Sequence, residues 1–337
     1  MAYNLVTMAT RWGICSAGKI SNDFAACLVS APDTEHKVVA VAARNVDKAK
    51  EFADHFGIPT AYGSYEELAK NSDIEVVYIG AIHPSHKELC ILFLNHGKHI
   101  VCEKPLTTTL KDTEEVLRLA EEKNLFLAEG FWTRYFPVYE EVRSQVAAGA
   151  IGELKAVHAR MNHNNAHVLR MNKGELGGGG MLDLGCYSVQ TANLFFKGRP
   201  DVIKATGTLM PGSDVDGSGT IVLKYPQNKT ATLEYHTQIA GANNSCTFMG
   251  TKGTIEVQSP FWCPTTVKIN GEEKSFPLIP VNYKLNYDNS NGFHYEANTV
   301  RQCLQKGLKE SPVITHQDSR DIMYIMEEAL KQIVATD

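Results

Sequence analysis

Between residues 11 and 129, short apolar runs alternate with helix-period segments, and this rhythm limits the possible folds more than any other feature of the chain. Strands are predicted at 11–15, 37–43, 76–80, 99–102 and 126–129. Helices are predicted at 20–29, 46–56, 84–95 and 111–123, and Ser64 with Glu67 forms a capping box that opens a short one between. The run at 76–80 is apolar at successive positions, as in a strand buried on both faces. Strand and helix in strict alternation imply a doubly wound parallel sheet, a dinucleotide-binding Rossmann unit placed at residues 9–130.

Past Phe136-Pro137 the rhythm changes. A helix at 138–148, a strand at 154–161 and an apolar helix at 182–196 precede strand-like stretches at 202–209, 219–225, 230–238, 244–249, 253–258 and 266–269. Turn residues separate the stretches, as in an antiparallel sheet, and helices at 293–306 and 318–334 close the chain. Residues 131–337 are therefore expected to form an α+β substrate-binding unit with a large, mainly antiparallel, open-faced sheet, whose face, if left uncovered by helices, would be an exposed apolar face needing a partner.

A length of 337 residues suits two domains better than one core. The net charge of −5 argues against a nucleic-acid or acidic-membrane surface. The apolar stretch at 89–94 is too short to span a bilayer. Residues 1–10 lack the basic start and apolar core of a secretory signal; Met8 can serve as a start of its own, with Met1–Thr7 expected to be a disordered extension. The eight cysteines are scattered, with no C-x-x-C pair, which suits reduced thiols in a cytoplasmic protein.

The turn after the first strand places Ser16, Gly18 and Ser21 at the three glycine positions of the G-x-G-x-x-G pattern. Only the middle position is glycine, where backbone must approach a pyrophosphate. Ser16, Gly18, Lys19 and Ile20, at the start of the following helix, are the expected phosphate contacts. At the end of the second strand Arg44 stands where an NAD site places an acid, with Lys48 one turn on. A guanidinium pairs with a 2′-phosphate, so NADP is favoured over NAD, while a merely solvated arginine leaves the choice open.

Lys104 follows the run 99–102 in Glu103-Lys104-Pro105, at the carboxyl end of a strand, where open α/β sheets bind ligands. Gly178-Gly179-Gly180-Met181-Leu182-Asp183-Leu184-Gly185-Cys186-Tyr187 lets backbone approach a ligand and puts Asp183 and Tyr187, four apart, on one helix face. A free tyrosine titrates near ~10. A lysine within reach is expected to lower Tyr187 by roughly 1–3 units and make it a base for a hydroxyl proton.

Several segments resemble one family: Arg11-Trp12-Gly13-Ile14, Val39-Ala40-Val41-Ala42-Ala43-Arg44, Ala61-Tyr62-Gly63-Ser64-Tyr65-Glu66-Glu67-Leu68-Ala69-Lys70, Cys102-Glu103-Lys104-Pro105, Trp132-Thr133-Arg134, Leu182-Asp183-Leu184-Gly185, Trp262-Cys263-Pro264-Thr265 and Gly307-Leu308-Lys309-Glu310-Ser311-Pro312. On these the chain resembles the Gfo/Idh/MocA oxidoreductases, over nearly its whole length. The resemblance implies an NADP-dependent homodimer, joined through the second sheet, that oxidises trans-dihydrodiols of aromatic hydrocarbons to catechols and D-xylose to its lactone. It carries the family's lysine onto Lys104 and its histidine-or-tyrosine position onto Tyr187. Ser16 departs from the family's usual glycine.

On this reading Tyr187 is the base, Lys104 supports the phenolate, and Asp183 orients Lys104 or binds a second hydroxyl. His83, His86, Glu103 and Lys104 are expected cofactor contacts, with Trp132 and Arg134 at the nicotinamide end. No metal is expected, although His158, His163 and His167 with Asn162, Asn164 and Asn165 could form either a zinc site or a substrate-side loop. Dehydrogenation of another sugar or anhydrosugar, or a non-catalytic NADP sensor, stands as the alternative.

Overall fold

The computed structural model describes residues 8–240 and 244–335; the extension expected at Met1–Thr7 lies outside them. Six parallel strands form the first sheet: β1 (Thr10–Cys15), β2 (His36–Ala42), β3 (Ala61–Tyr62), β4 (Val76–Ile79), β5 (His99–Glu103) and β6 (Leu127–Gly130). Their order is β3-β2-β1-β4-β5-β6, and the reversal between β1 and β4 opens a crevice at the strands' carboxyl ends. Helices α1 (Lys19–Ser30), α2 (Val46–Phe56), α3 (Tyr65–Lys70), α4 (His86–Asn95) and α5 (Leu110–Glu122) make the crossovers.

Each strand is apolar on both sides because each side faces a different core. Val76 and Tyr78 pack into the core that includes Phe24 of α1, while Val77 and Ile79 pack into another with Leu89, Phe93 and Leu117 of α4 and α5. Ser64 caps α3 by accepting from the Glu67 amide and donates its hydroxyl to the Glu67 carboxylate at 2.9 Å. β3, two residues long, was too short to show a period in the sequence.

The second sheet holds β7 (Leu154–Asn162), β8 (Val202–Leu209), β9 (Asp216–Tyr225), β10 (Lys229–His236), β11 (Ser245–Gly250), β12 (Thr254–Val257), β13 (Thr266–Ile269) and β14 (Glu272–Ser275). Its order is β14-β13-β12-β11-β7-β10-β9-β8, antiparallel throughout except for the parallel pair β7 and β10. β14 carries an all-exposed charged run that the sequence pattern reads only as a solvated face; charges on an edge strand discourage further pairing.

Four more helices, α6 (Pro137–Ala147), α7 (Cys186–Asn193), α8 (Phe293–Gln305) and α9 (His316–Ala335), complete the α-helices of the described residues. α7 and α9 pack against the sheet face that buries Ile221, Leu223, Leu233, Tyr235 and Phe248. The opposite face was expected to be apolar if left uncovered. It instead carries His158, Arg160, Thr220, Thr232, Glu234 and Thr247, with Val222 as an exposed apolar residue among them.

One buried carboxylate ties α1 to the C-terminal half. Asp23 accepts from the Asn286 and Tyr287 amides, from Asn286 Nδ2, and from Ser290 Oγ at 2.6 Å. Asn286 Nδ2 also donates to the Lys19 carbonyl, so this strap crosses the first turn of α1, beside the crevice.

Candidate active site

The crevice begins at the turn between β1 and α1. Ser16, at the first motif position, adopts φ +85°, a conformation that glycine takes without strain; the serine occupies the glycine geometry at some cost. A Cβ on Gly18 would meet nothing closer than Ser16 Oγ at 3.7 Å and the Gly80 carbonyl at 3.9 Å. The protein itself leaves this position open, as a close-approaching phosphate requires. α1 has no side-chain cap and no acid in its first turn, so its amino-terminal N–H groups and dipole remain available to an anion. Lys19 is exposed and Ile20 half-buried at this end.

The third motif position, Ser21, is fully buried, and Gly80 beyond β4 supplies the closeness the motif usually takes from its last glycine. A Cβ on Gly80 would collide with Ser21 Oγ and touch Tyr78 at 3.0 Å and Ile20 at 3.2 Å. Gly80→Ala is expected to lose about 1–3 kcal/mol in urea unfolding. Adding Ser21→Gly should recover part of it; no change in midpoint would refute this packing account.

Arg44 and Lys48 are exposed after β2, where Asn45 caps α2 by accepting from the Asp47 and Lys48 amides. Tyr65, absent from the sequence expectations, lies against Ser16 and within the field of Arg44. The turn thus offers a helix N-terminus, an open glycine and two cations, a donor set that fits a dinucleotide phosphate.

Lys104, Asp183 and Tyr187 converge from two directions. Lys104 follows β5, and its loop is anchored where Leu106 N–H donates to Glu129 Oε1 at 2.8 Å and where His86 Nδ1 lies 2.8 Å from the Pro105 carbonyl. Asp183 sits in a single π turn, Met181–Gly185, that runs into α7 and Tyr187. That turn is held by Asp216, which accepts from the Met181 amide at 2.6 Å and from the Tyr235 hydroxyl at 2.7 Å. Lys104 Nζ donates to the Asp183 carbonyl at 2.9 Å, stands 4.0 Å from Asp183 Oδ1, and lies 4.6 Å from the Tyr187 ring centroid. The shared face expected from the spacing survives the wider turn because both residues point at Lys104.

Electrostatics corrects one expectation. Burial raises the Tyr187 phenol above its ordinary value and outweighs Lys104, which lowers it. Burial also pulls Lys104 down, but Cys186, Tyr187, Asp183 and Glu103 around it reverse this and keep it cationic. Burial alone would raise Asp183, yet Lys104, Arg170 and His83 hold its carboxyl at about 2.

The remaining expected residues divide. Trp132 reaches the site and donates its indole N–H to the Tyr187 oxygen at 3.1 Å, its ring stacked on Phe293 at 4.7 Å. His83 lies at the edge, Nδ1 2.9 Å from the Gly177 carbonyl, its imidazole pushed down to about 3 by burial. His86 is buried with its ring nitrogens on the Pro105 and Ala81 carbonyls, which leaves none to face a cofactor. Glu103 turns inward to accept from the Tyr78 hydroxyl at 2.6 Å, and burial lifts its carboxyl to about 7.

Arg134 is not brought to the site at all. Its guanidinium is fully buried and donates to Gln190 Oε1, the Gln190 carbonyl, Asn193 Oδ1 and Asp318. The glycine run is likewise a packing device: side chains there would strike the Arg170, Met171 and Lys173 carbonyls at Gly178, Asp216 at Gly179, and Tyr235 at Gly180.

Two residues reach Asp183 from the stretch after β7: Asn165, in the loop that the sequence reads as either a zinc site or a substrate-side loop, and Arg170, which the sequence reading misses. Arg170 Nη2 donates to Asp183 Oδ1 at 2.8 Å, and Asn165 Nδ2 donates to Oδ2 at 3.2 Å. Arg170 lies thirteen positions before Asp183 in a four-residue 3-10 turn, too short for any periodicity to flag it. Among the described residues no cluster of three His, Cys, Asp or Glu could hold a metal ion, and no helix is long and apolar enough to cross a membrane.

Known proteins are similar to this chain over nearly its whole length. The model of an oxidoreductase family with an NAD-binding Rossmann fold (GFO/IDH/MocA) matches residues 10–131, and that of the GFO/IDH/MocA C-terminal domain matches residues 139–256. Trans-1,2-dihydrobenzene-1,2-diol dehydrogenase of Xenopus tropicalis is 46% identical over 330 residues, covering 98% of this chain and 99% of that protein. The Homo sapiens protein of the same name is 43% identical over 330 residues, 98% of each chain. Among solved structures, levoglucosan dehydrogenase with NADH and levoglucosan superposes with a TM-score of 0.84 at 19% identity, covering 98% of each chain. KijD10, a 3-ketoreductase from Actinomadura kijaniata with NADP and TDP-benzene, does so with a TM-score of 0.79 at 24% identity, covering 96% of this chain and 97% of that one.

Proposed function

The chain belongs to the GFO/IDH/MocA oxidoreductase family, and on that footing we propose that it is an NADP-dependent dehydrogenase of trans-dihydrodiols, yielding catechols, that also oxidises D-xylose to its lactone. The observation that carries the reading is the phenol of Tyr187 beneath the Lys104 ammonium, with the Trp132 N–H on its oxygen. A nicotinamide, when bound, supplies the hydride acceptor. Tyr187 takes the proton of the substrate hydroxyl as its C–H bond gives up hydride, leaving a carbonyl. Lys104 and Trp132 both favour the phenolate that acts as this base, one by charge and one by hydrogen bond, and accepting the proton returns Tyr187 to the phenol. In a dihydrodiol the resulting ketone enolises to the aromatic catechol, which drives the oxidation. Arg170 and Asn165 add polar groups beside Asp183, which suits substrates with more than one hydroxyl.

Ser16, Gly18, Lys19 and Ile20 would hold the pyrophosphate, and Arg44 with Lys48 the 2′-phosphate. His83 and Trp132 would border the bound dinucleotide. A second copy of the chain would pair across the uncovered sheet face. Eight buried free thiols suit a reducing compartment, the cytoplasm.

The test is cofactor reduction with NADP or NAD against trans-benzene dihydrodiol, D-xylose and D-glucose. Turnover of the first two with NADP is expected. Turnover of D-glucose alone would move the substrate to another sugar, and silence with intact NADP binding would favour a sensor. Arg44→Asp should cut NADP affinity roughly 10- to 100-fold, the weight of a charge-assisted contact, while sparing NAD. Equal loss for both cofactors would sink the 2′-phosphate assignment.

A further inference from the structure

Asp183 has more partners than an acid needs merely to hold Lys104 in place. Its Oδ1 takes Arg170 Nη2 at 2.8 Å while Lys104 Nζ stays 4.0 Å away, and its Oδ2 takes Asn165 at 3.2 Å. Lys104 reaches the same residue only through its main-chain carbonyl, a neutral acceptor, at 2.9 Å. In a site this buried, two cations compete for one carboxylate, and the shorter contact belongs to Arg170.

From this we infer that Arg170 is a positioning residue: by occupying Asp183 it keeps the Lys104 charge uncompensated and seated over Tyr187. The inference rests on Tyr187 acting as base. Without Arg170, Lys104 would close on the free Asp183 oxygen and leave the phenol, and the bare carboxylate would repel the phenolate as well. Both changes disfavour the phenolate and so push the Tyr187 pKa upward.

Other titratable groups around the pair do not duplicate this role. Glu103, from the end of β5, and Cys186, from the tyrosine's own segment, act on Tyr187; His83, from the turn before α4, and Tyr287, from the segment before α8, act on Asp183. None of these is a cation that could replace Arg170, since burial keeps His83 neutral. The loop that delivers Arg170 is fixed independently of it: Asn172 Nδ2 donates to the Ala166 carbonyl at 2.6 Å, and Ser213 Oγ donates to the Asn172 carbonyl at 2.7 Å. Arg170→Met should therefore leave the loop in place.

The experiment is the pH profile of kcat/KM with NADP and the best substrate of the panel, for wild type, Arg170→Met, Arg170→Lys and Arg170→Met combined with Asp183→Asn. The rate falls below the pKa of the base. Arg170→Met should move that limb up by about one pH unit, costing about tenfold at neutral pH. Arg170→Lys should restore most of it, and in the Asp183→Asn background the methionine should add no further shift. NADP affinity, read by tryptophan quenching, should not change in any variant. A uniform drop in rate with the limb unmoved, or an additive shift in the double variant, would overturn the inference. Full turnover of Tyr187→Phe would instead bring down the assignment of the base on which it stands.

Discussion

Tyr187→Phe loses roughly 10²–10⁴-fold in kcat, the usual weight of a positioned acid or base, while NADP still binds. The expectation follows from geometry. Among the described polar groups around Lys104, the Tyr187 oxygen alone carries a transferable proton that both a cation and a neutral N–H donor stabilise once it leaves. Asp183 cannot take over, because Arg170 and Asn165 occupy its oxygens and its carboxyl is held at about 2, far too weak a base for an alcohol. Cys186 cannot either: burial lifts its thiol to about 12, and its sulfur is turned to the Asp183 carbonyl. Because burial raises the phenol, wild-type oxidation should accelerate as pH climbs through the neutral range. The phenylalanine variant should lose that slope along with its rate. A variant that keeps both would show that proton removal runs through another group.

Arg134→Met is expected to cost about 3–5 kcal/mol of stability, as breaking a buried ion pair does, with near-normal turnover below its melting temperature. Arg134 is wholly enclosed, and its guanidinium links the segment after β6 to α7 and α9 through Gln190, Asn193 and Asp318. Removing it leaves a buried Asp318 with only the half-exposed Lys197, 2.7 Å away, as a cationic partner. That remaining partner places the loss toward the lower end of the range. Thermal and urea unfolding measure it, and steady-state kinetics on the same preparation separates the two views of this residue. Unchanged stability with weakened cofactor binding would return Arg134 to the nicotinamide end, where the sequence reading places it beside Trp132.

How far each part of the molecule could be read from sequence depends on the distance over which its cause acts. Five of the six parallel strands were legible because burial on two faces leaves an unbroken apolar run in each, and because Ser64 announces its helix within three residues; β3, two residues long, was not. The phosphate turn was legible for the same reason: its strand, glycine and helix start are contiguous. β14 was lost because an edge strand made of Glu272, Glu273 and Lys274 has no face to alternate. Trp132 and Arg134, two residues apart, defeat any local rule. A 3-10 turn sends one side chain onto Tyr187 and the other into the core.

What the sequence determined by itself is therefore what repeats or caps over a few residues: the sheet, its helices, the phosphate-facing turn, and the identity of Lys104, Asp183 and Tyr187 as polar residues in apolar settings. Tertiary structure alone decided their states and partners. It placed Arg170 on Asp183, turned the glycine run into packing, gave Gly80 the close contact with Ser21 that the motif's last glycine usually supplies, and let burial outweigh Lys104 at the Tyr187 phenol. The reason is physical: a period reports which side of an element is dry, but a charge or a buried oxygen responds to whatever the fold brings within a few ångströms of it.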